Sequence, residues 1–276
     1  MIKINKDINN IPESLKPATK DFFMDAIPIK SQTTHNKRID VISQKKYDDR
    51  YNDRYKQEDV KKALNDIYFH KCAFCEQRVE QVQVEHYRPK KEDNRYIDSY
   101  AYYWLAFSWD NLLIACPTCN TYKSAHFAVE AVRVAFINSV DNLKNINSLS
   151  MSYDSIERPL FVNPEITNPC GFLTFTKDGK IASLNPCFKY TIETCHLDRA
   201  DLNDQRRKLL EDLKNDVRAE LIEYSGNIEK QKDAISTLVR KFKRKTADKE
   251  TQFLAFINYA IANDWLNDSI KEIANN

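Results

Sequence analysis

The stretch that decides the fold begins with KCAFC at 71–75 and ends with ACPTCN at 115–120, bracketing EHYRPKK at 85–91 and WDNLLIAC at 109–116. A Cys-x2-Cys turn aims two sulfurs at one point, and two such turns supply the four thiolates of a tetrahedral zinc site. Cys72, Cys75, Cys116 and Cys119 are therefore expected to hold one structural zinc. With all four positions taken by sulfur, that zinc keeps no open place for water. It would pin the ends of an insert of about 40 residues, which then needs no large core of its own.

Inside the insert His86 follows Glu85, while Asn120 comes directly after the last cysteine. An imidazole, a carboxylate and an amide oxygen are the parts of a one-metal phosphodiesterase. The imidazole takes a proton from water, and a hard cation held by oxygen ligands offsets the charge developing on phosphate.

The order CxxC, Glu-His, Asn, CxxCN, then Lys123 resembles the HNH (ββα-metal) endonucleases with a four-cysteine zinc site. The likeness is narrower in MIKINKDINNIPESL at 1–15, HKCAFCE, VEHYRPK, YWLAFSWDNLLIACPTCNTYK, RPLFVNPE at 158–165, FLTFTKDGKI and TIETCHLDRADLNDQR at 191–206. These are similar to retron-associated and Septu-type HNH nucleases of bacterial phage defence, over roughly residues 1 to 210. Ser124 stands where that pattern leads one to expect glycine, and HLDR where LNR is usual.

The resemblance implies site roles. His86 would be the general base, Glu85 and Asn120 the ligands of a catalytic Mg2+ or Mn2+, and Asn111 the brace of the loop carrying His86. Lys123 and Arg88 are candidates to bind substrate phosphate. The resemblance also implies an ATPase partner of the ABC or SMC type. The chain has no GxxxxGK[ST] pattern among its 3 glycines, which fits that division of labour. The function implied is a metal-dependent endonuclease, effector of an antiviral system, cutting DNA by default and structured RNA as the other option. The alternative class is a non-catalytic zinc module that binds nucleic acid or a partner protein. Such a module has no need of an imidazole beside a carboxylate.

Outward from this core, 276 residues with 42% apolar and 30% charged side chains suit one large domain or two small ones. The net charge of +2 argues neither for nor against a nucleic-acid partner, because cations can gather on one face. No apolar run approaches the length of a membrane span and charged residues interrupt the first 25 positions, so a cytoplasmic protein with no membrane contact is expected. The glycine scarcity predicts a mainly α protein; with the small zinc-pinned ββα core that the resemblance implies and a helical C-terminal bundle, the class expected is α+β.

Four segments are expected: an arm and connection at 1–57, the nuclease core at 58–138, a loop region with a β-hairpin at 139–197, and the bundle at 198–276. The arm should hold a short helix around 17–26, followed by a solvated connection through KRIDVIS and YDDRYNDRYKQE. An amphipathic helix from Glu58 carries Val60, Ala63, Leu64, Ile67 and Tyr68 on one stripe. VEQVQVEHY at 79–87 alternates like a strand. In a regular strand Glu85 and His86 would face opposite ways, so their joint use requires a strand end or bulge, for which Pro89 supplies a reason.

SYAYYWLAFSW at 99–109 reads as a helical, aromatic core segment, Thr121 to about Phe136 as a helix, and FLTFT-KDGK-IASL as a hairpin turning at Asp178 and Gly179. Three C-terminal stripes are expected: Leu202, Leu209, Leu213, Val217 and Leu221; Ile235, Leu238, Val239 and Phe242; Phe253, Phe256, Ile257, Ala260 and Ile261. His126, the rival ligand, would fall about 120° around that helix from Asn120. His35, His70 and His196 carry no spacing argument. Cys170, Cys187 and Cys195 are expected as buried thiols. RKFKRK at 240–245 reads first as a solvated face around Phe242, with nucleic-acid contact as the alternative.

Overall fold

The computed structural model describes residues 1–20, 22–23, 26–80 and 83–274. Its helices are α1 (Ile29–Gln44), α2 (Asn52–Tyr55), α3 (Glu58–Ile67), α4 (Pro117–Lys123), α5 (Val140–Lys144), α6 (Leu149–Ser152), α7 (Asp154–Glu157), α8 (Pro186–Thr194), α9 (Ala200–Glu223), α10 (Ile228–Arg244), α11 (Leu254–Ala262) and α12 (Trp265–Ala274). Two antiparallel pairs accompany them, β1 (Gln83–His86) with β2 (Leu112–Ala115), and β3 (Thr174–Phe175) with β4 (Ile181–Ala182). The protein is mainly helical, as glycine scarcity implied. No described helix is long and apolar enough to cross a membrane.

α3 starts at Glu58, buries Val60 and Leu64, one turn apart, and packs on β2 and on the Glu13–Leu15 turn. The hairpin turns at Gly179, whose φ of +90° suits a residue without Cβ; a Cβ there would meet the Asn203 backbone. β1 ends at His86, so the strand stops where the sequence asked it to. Residues 81 and 82 of the expected strand lie outside the described residues.

Several expectations are corrected. The expected helix around 17–26 falls partly on residues outside the description, and its described residues are turns and bends. Helix α1, 16 residues long, stands where an irregular arm and a solvated connection were expected. Its buried face is Ser31, Thr34, Arg38, Val41 and Ile42, at helical spacing but half polar, so no apolar stripe announces it. In YDDRYNDRYKQE the polar residues hide Tyr47 and Tyr55, both buried.

The aromatic run 99–109 is core, with Tyr102, Trp104, Leu105, Phe107 and Trp109 buried, but it forms 3₁₀ turns at Tyr103–Leu105 and Trp109–Asn111 rather than a helix. Residues 139–170, expected as loop, contain α5, α6 and α7. The last stripe ends within α11, and beyond it Asp264 at φ +58° turns the chain into a further helix, α12, so the C-terminal region has four described helices, not three. There α10 and α12 both lie along α9. Of the second stripe only Phe242 is buried.

The helix expected to run to Phe136 ends at Lys123. Beyond it the chain is extended and pairs with 157–160, Val129 opposite Pro159, Leu160 N–H donating to Ala128 O and Ala131 N–H to Glu157 O. The stop is Ser124, at φ +44° and ψ −127°. Glycine adopts this conformation freely, whereas a side chain there costs on the order of 1–3 kcal/mol. Ser124→Gly is therefore expected to stabilise the fold by about 1 kcal/mol, read as a raised urea midpoint; an unchanged or lowered midpoint would contradict the strain.

Candidate functional site

The four cysteines converge. Cys72 and Cys75 sit in a knuckle closed by Cys72 N–H to Gln77 O and Glu76 N–H to Cys72 O, with Glu76 at φ +63°. The knuckle joins β2 through Ala73 N–H to Ile114 O, 2.9 Å. Cys116 is the N-cap of α4, Pro117 fills the first helical position where no N–H is missed, and Cys119 N–H points at Cys116 Sγ, 3.4 Å. All four Sγ atoms lie within 4.8 Å of one another, and all four residues are buried and free of disulfides.

The sulfurs of Cys75 and Cys116 are 3.7 Å apart. A zinc with bonds of about 2.3 Å sets tetrahedral sulfurs about 3.8 Å apart. Hydrogen bonds from Cys119, Cys72 and Cys75 hold the Cys116 thiol far below its ordinary range, while burial pushes Cys72 up. Four thiols this close cannot all ionise unless a cation sits among them. The cluster could hold a zinc ion, and the donor set fits one.

Glu85, His86 and Asn120 line one cleft of about 570 Å³, together with Lys90, Lys91 and Ser124. Strand pairing sets Glu85 opposite Leu113 and His86 opposite Leu112, and α4 packs on β1, so strand, strand and helix meet at these side chains. The His86 ring is buried; its Nε2 is 3.0 Å from Ala106 O, which can only accept, so Nε2 carries the hydrogen and Nδ1 the lone pair. Tyr55 meets the ring edge to face, centroids 4.5 Å apart. Burial, with Lys90 adding to it, holds the imidazole well below its usual range, so it is neutral near pH 7. Asn120 donates from Nδ2 to Gln83 Oε1, 2.9 Å, which orients the amide, and its oxygen accepts no hydrogen bond among the described residues.

Asn111 is buried away from the cleft and brackets Arg88. Its Oδ1 accepts from Arg88 N–H, 2.8 Å, and its Nδ2 donates to Arg88 O, 3.0 Å. Arg88 and Lys123 are corrected as substrate contacts, since both are fully buried. The Arg88 guanidinium donates to Glu157, Asp154 and Ser150. The Lys123 ammonium donates to His86 O, 2.7 Å, and pairs with Glu85, 2.8 Å. It holds the two cleft residues in place. His126 hydrogen-bonds Asp98 from a turn beyond α4, so the helical angle drawn for it does not apply. Cys195 is buried as expected, but Cys187 is only half-buried and Cys170 is exposed.

Two residues were missed. Lys90 lies in the cleft, its ammonium over the rings of Tyr47 and Tyr55 at 5.3 and 5.0 Å. Burial brings its pKa down to about 8. Its place right after Pro89 in EHYRPKK was the available signal. Arg199, from HLDR, donates to Cys119 Sγ, 3.7 Å, and to Gln77 Oε1, 3.1 Å, beside His196 stacked on Tyr122. No spacing rule links it to the cysteines.

Part of the chain is similar to the Septu protein PtuB of Bacillus mycoides (strain KBAB4), 32% identical over 169 residues, which is 58% of this chain and 53% of that protein. The match thus spans about half the length of that relative. No protein-family model and no solved structure matches the chain.

Metal analysis of protein purified without chelator is expected to find one zinc per chain, lost with unfolding in Cys119→Ser; zinc-free, folded parent protein would refute the assignment. Asn111→Ala leaves the Arg88 N–H and C=O unpaired, a cost of about 1–3 kcal/mol. Faster amide exchange at Tyr87 and Arg88 should report it, and parental protection there would show that the bracket is dispensable.

Proposed function

We propose that this protein is a metal-dependent endonuclease of the HNH, or ββα-metal, type, hydrolysing phosphodiester bonds of nucleic acid as an effector of anti-phage defence. The observation that carries the reading is the meeting of Glu85, His86 and Asn120 at one cleft on a strand, strand and helix unit tied by four cysteines. The likeness to Septu protein PtuB supports the defence setting. It also supports a partner within such a system, for which an ATPase of the ABC or SMC type is our proposal. A module that only binds would not need a neutral imidazole oriented by a carbonyl on one side and open to a cleft on the other.

His86 Nδ1 takes a proton from water as the water oxygen attacks phosphorus, and the Ala106 carbonyl stabilises the imidazolium that forms through Nε2–H. Glu85 and the Asn120 amide oxygen are the hard donors available to Mg2+ or Mn2+, which when bound would offset charge on the phosphate and on the departing 3′ oxygen. Lys123 keeps Glu85 turned to the cleft by pairing with one of its oxygens. The products are a 5′-phosphate and a 3′-hydroxyl. The attack needs no 2′-hydroxyl, so DNA is the default substrate and structured RNA the other.

Plasmid and total RNA incubated with Mg2+ or Mn2+ test the reading, with the protein alone and with the proposed ATPase partner. His86→Ala is expected to cut about 10² to 10⁴ times more slowly with zinc content unchanged. Asn120→Ala should need more divalent cation for half-maximal rate. Parental rates in folded, zinc-loaded His86→Ala would remove the imidazole from the mechanism. Co-expression with the ATPase should give one peak on size exclusion; two separate peaks would count against a stable complex.

A further inference from the structure

The cleft does not stop at its own walls. Residues 90 to 93 and Arg95 line it on one side and on the other line a second groove of about 880 Å³, whose far wall is the end of α1, Gln44 to Tyr47. The intervening 89–102 loop is tied at its stem by Tyr102 N–H to Pro89 O, 2.8 Å, and by the Asn111 bracket, so the two grooves share a fixed partition.

The groove is cationic. Lys45, Lys46, Lys90, Lys91 and Arg95 line it against the acids Glu92 and Asp93. Lys91 is paired with Asp49 and Arg95 with Asp93, whereas Lys45, Lys46 and Lys90 enter no salt bridge among the described residues. α1 ends because Lys45 takes φ +51°, which sets both exposed lysines together at the helix end, their N–H groups capping Ile42 O and Val41 O. Lys90 stands at the junction of the two grooves, half-buried over two tyrosine rings.

We propose that this groove carries the phosphate backbone of the nucleic acid to one side of the scissile bond, with Lys45, Lys46 and Lys90 as its contacts. The inference rests on the nuclease reading and adds the path of the substrate to it. A protein partner is disfavoured by the lining. Its one aromatic ring, Tyr47, is buried, and Ala101 is the other apolar residue, so no large apolar anchor is offered. Phosphate backbone asks only for gathered cations. The longer basic run on α10 is exposed on a helix that contributes nothing to the cleft.

The test is binding of short labelled duplex DNA and single-stranded RNA to the parent chain, without added divalent cation, followed by anisotropy over a salt series. Lys45→Glu with Lys46→Glu is expected to weaken binding roughly tenfold and to flatten the slope of log K against log salt by about two, one for each lost contact. Lys241→Glu with Lys243→Glu, the same charge change on α10, should leave that slope unaltered. A groove variant with the parental slope, an equal loss in the α10 variant, or no binding of either polymer by the parent would overturn the proposal. His86-dependent cutting that persists beside any of these results would leave the nuclease reading standing, whereas cutting that ignores His86 would remove that reading whatever the salt series gave. The DNA and RNA arms show which backbone the groove prefers.

Discussion

Four thiols held within 4.8 Å of one another, together with the Ala73 N–H to Ile114 O bond, join two places far apart in the chain, the knuckle after α3 and the turn from β2 into α4. Among the described residues between those points, the four-residue pairing of β1 with β2 is the insert's only regular sheet. A two-stranded ribbon of that length is not stable alone in water. The cysteine cluster and the aromatic residues buried beneath it supply what the ribbon lacks. Glu85 and His86 reach the cleft from β1 and Asn120 from α4, and the loop after β1 and the end of α4 supply the rest of its lining.

Several charges are then used internally. Lys123 is buried between Glu85 and the His86 carbonyl, and Arg88 is buried among Glu157, Asp154 and Ser150. Lys6 pairs with Glu165 and donates to the carbonyls of Trp109 and Leu112, clasping the N-terminal arm and the VNPE segment to the start of β2. Removing one partner of such a pair leaves a buried charge uncompensated, at a cost of about 3–5 kcal/mol. These residues therefore hold backbone segments in register around the cleft. The C-terminal region is tied in the same way, by Arg199 on Cys119 and Gln77.

Local chemistry made much of this legible. Cysteine spacing is a short-range property, so the cysteine cluster could be read directly, as could the strand stop at His86, the turn at Gly179 and the amphipathic α3. Helix α1 escaped because a helix face that buries Ser31, Thr34 and Arg38 has the right spacing and the wrong polarity. The helix after Asn120 was read too long because its composition is helical, while Ser124 takes up a backbone conformation that no side-chain pattern announces.

The sequence by itself determined which residues could do chemistry, since a thiol, an imidazole or a carboxylate keeps its reactivity wherever the chain places it. It also determined the turns in which φ or sulfur spacing is set by neighbours. Only the tertiary structure decided which charges face solvent. Lys123, Arg88 and Lys90 look alike in the chain, yet the first two are buried in ion pairs and the third lines the cleft. The reason is that burial and pairing depend on groups far along the chain, Glu157 for Arg88 and the Tyr47 ring for Lys90, and no local pattern carries that separation.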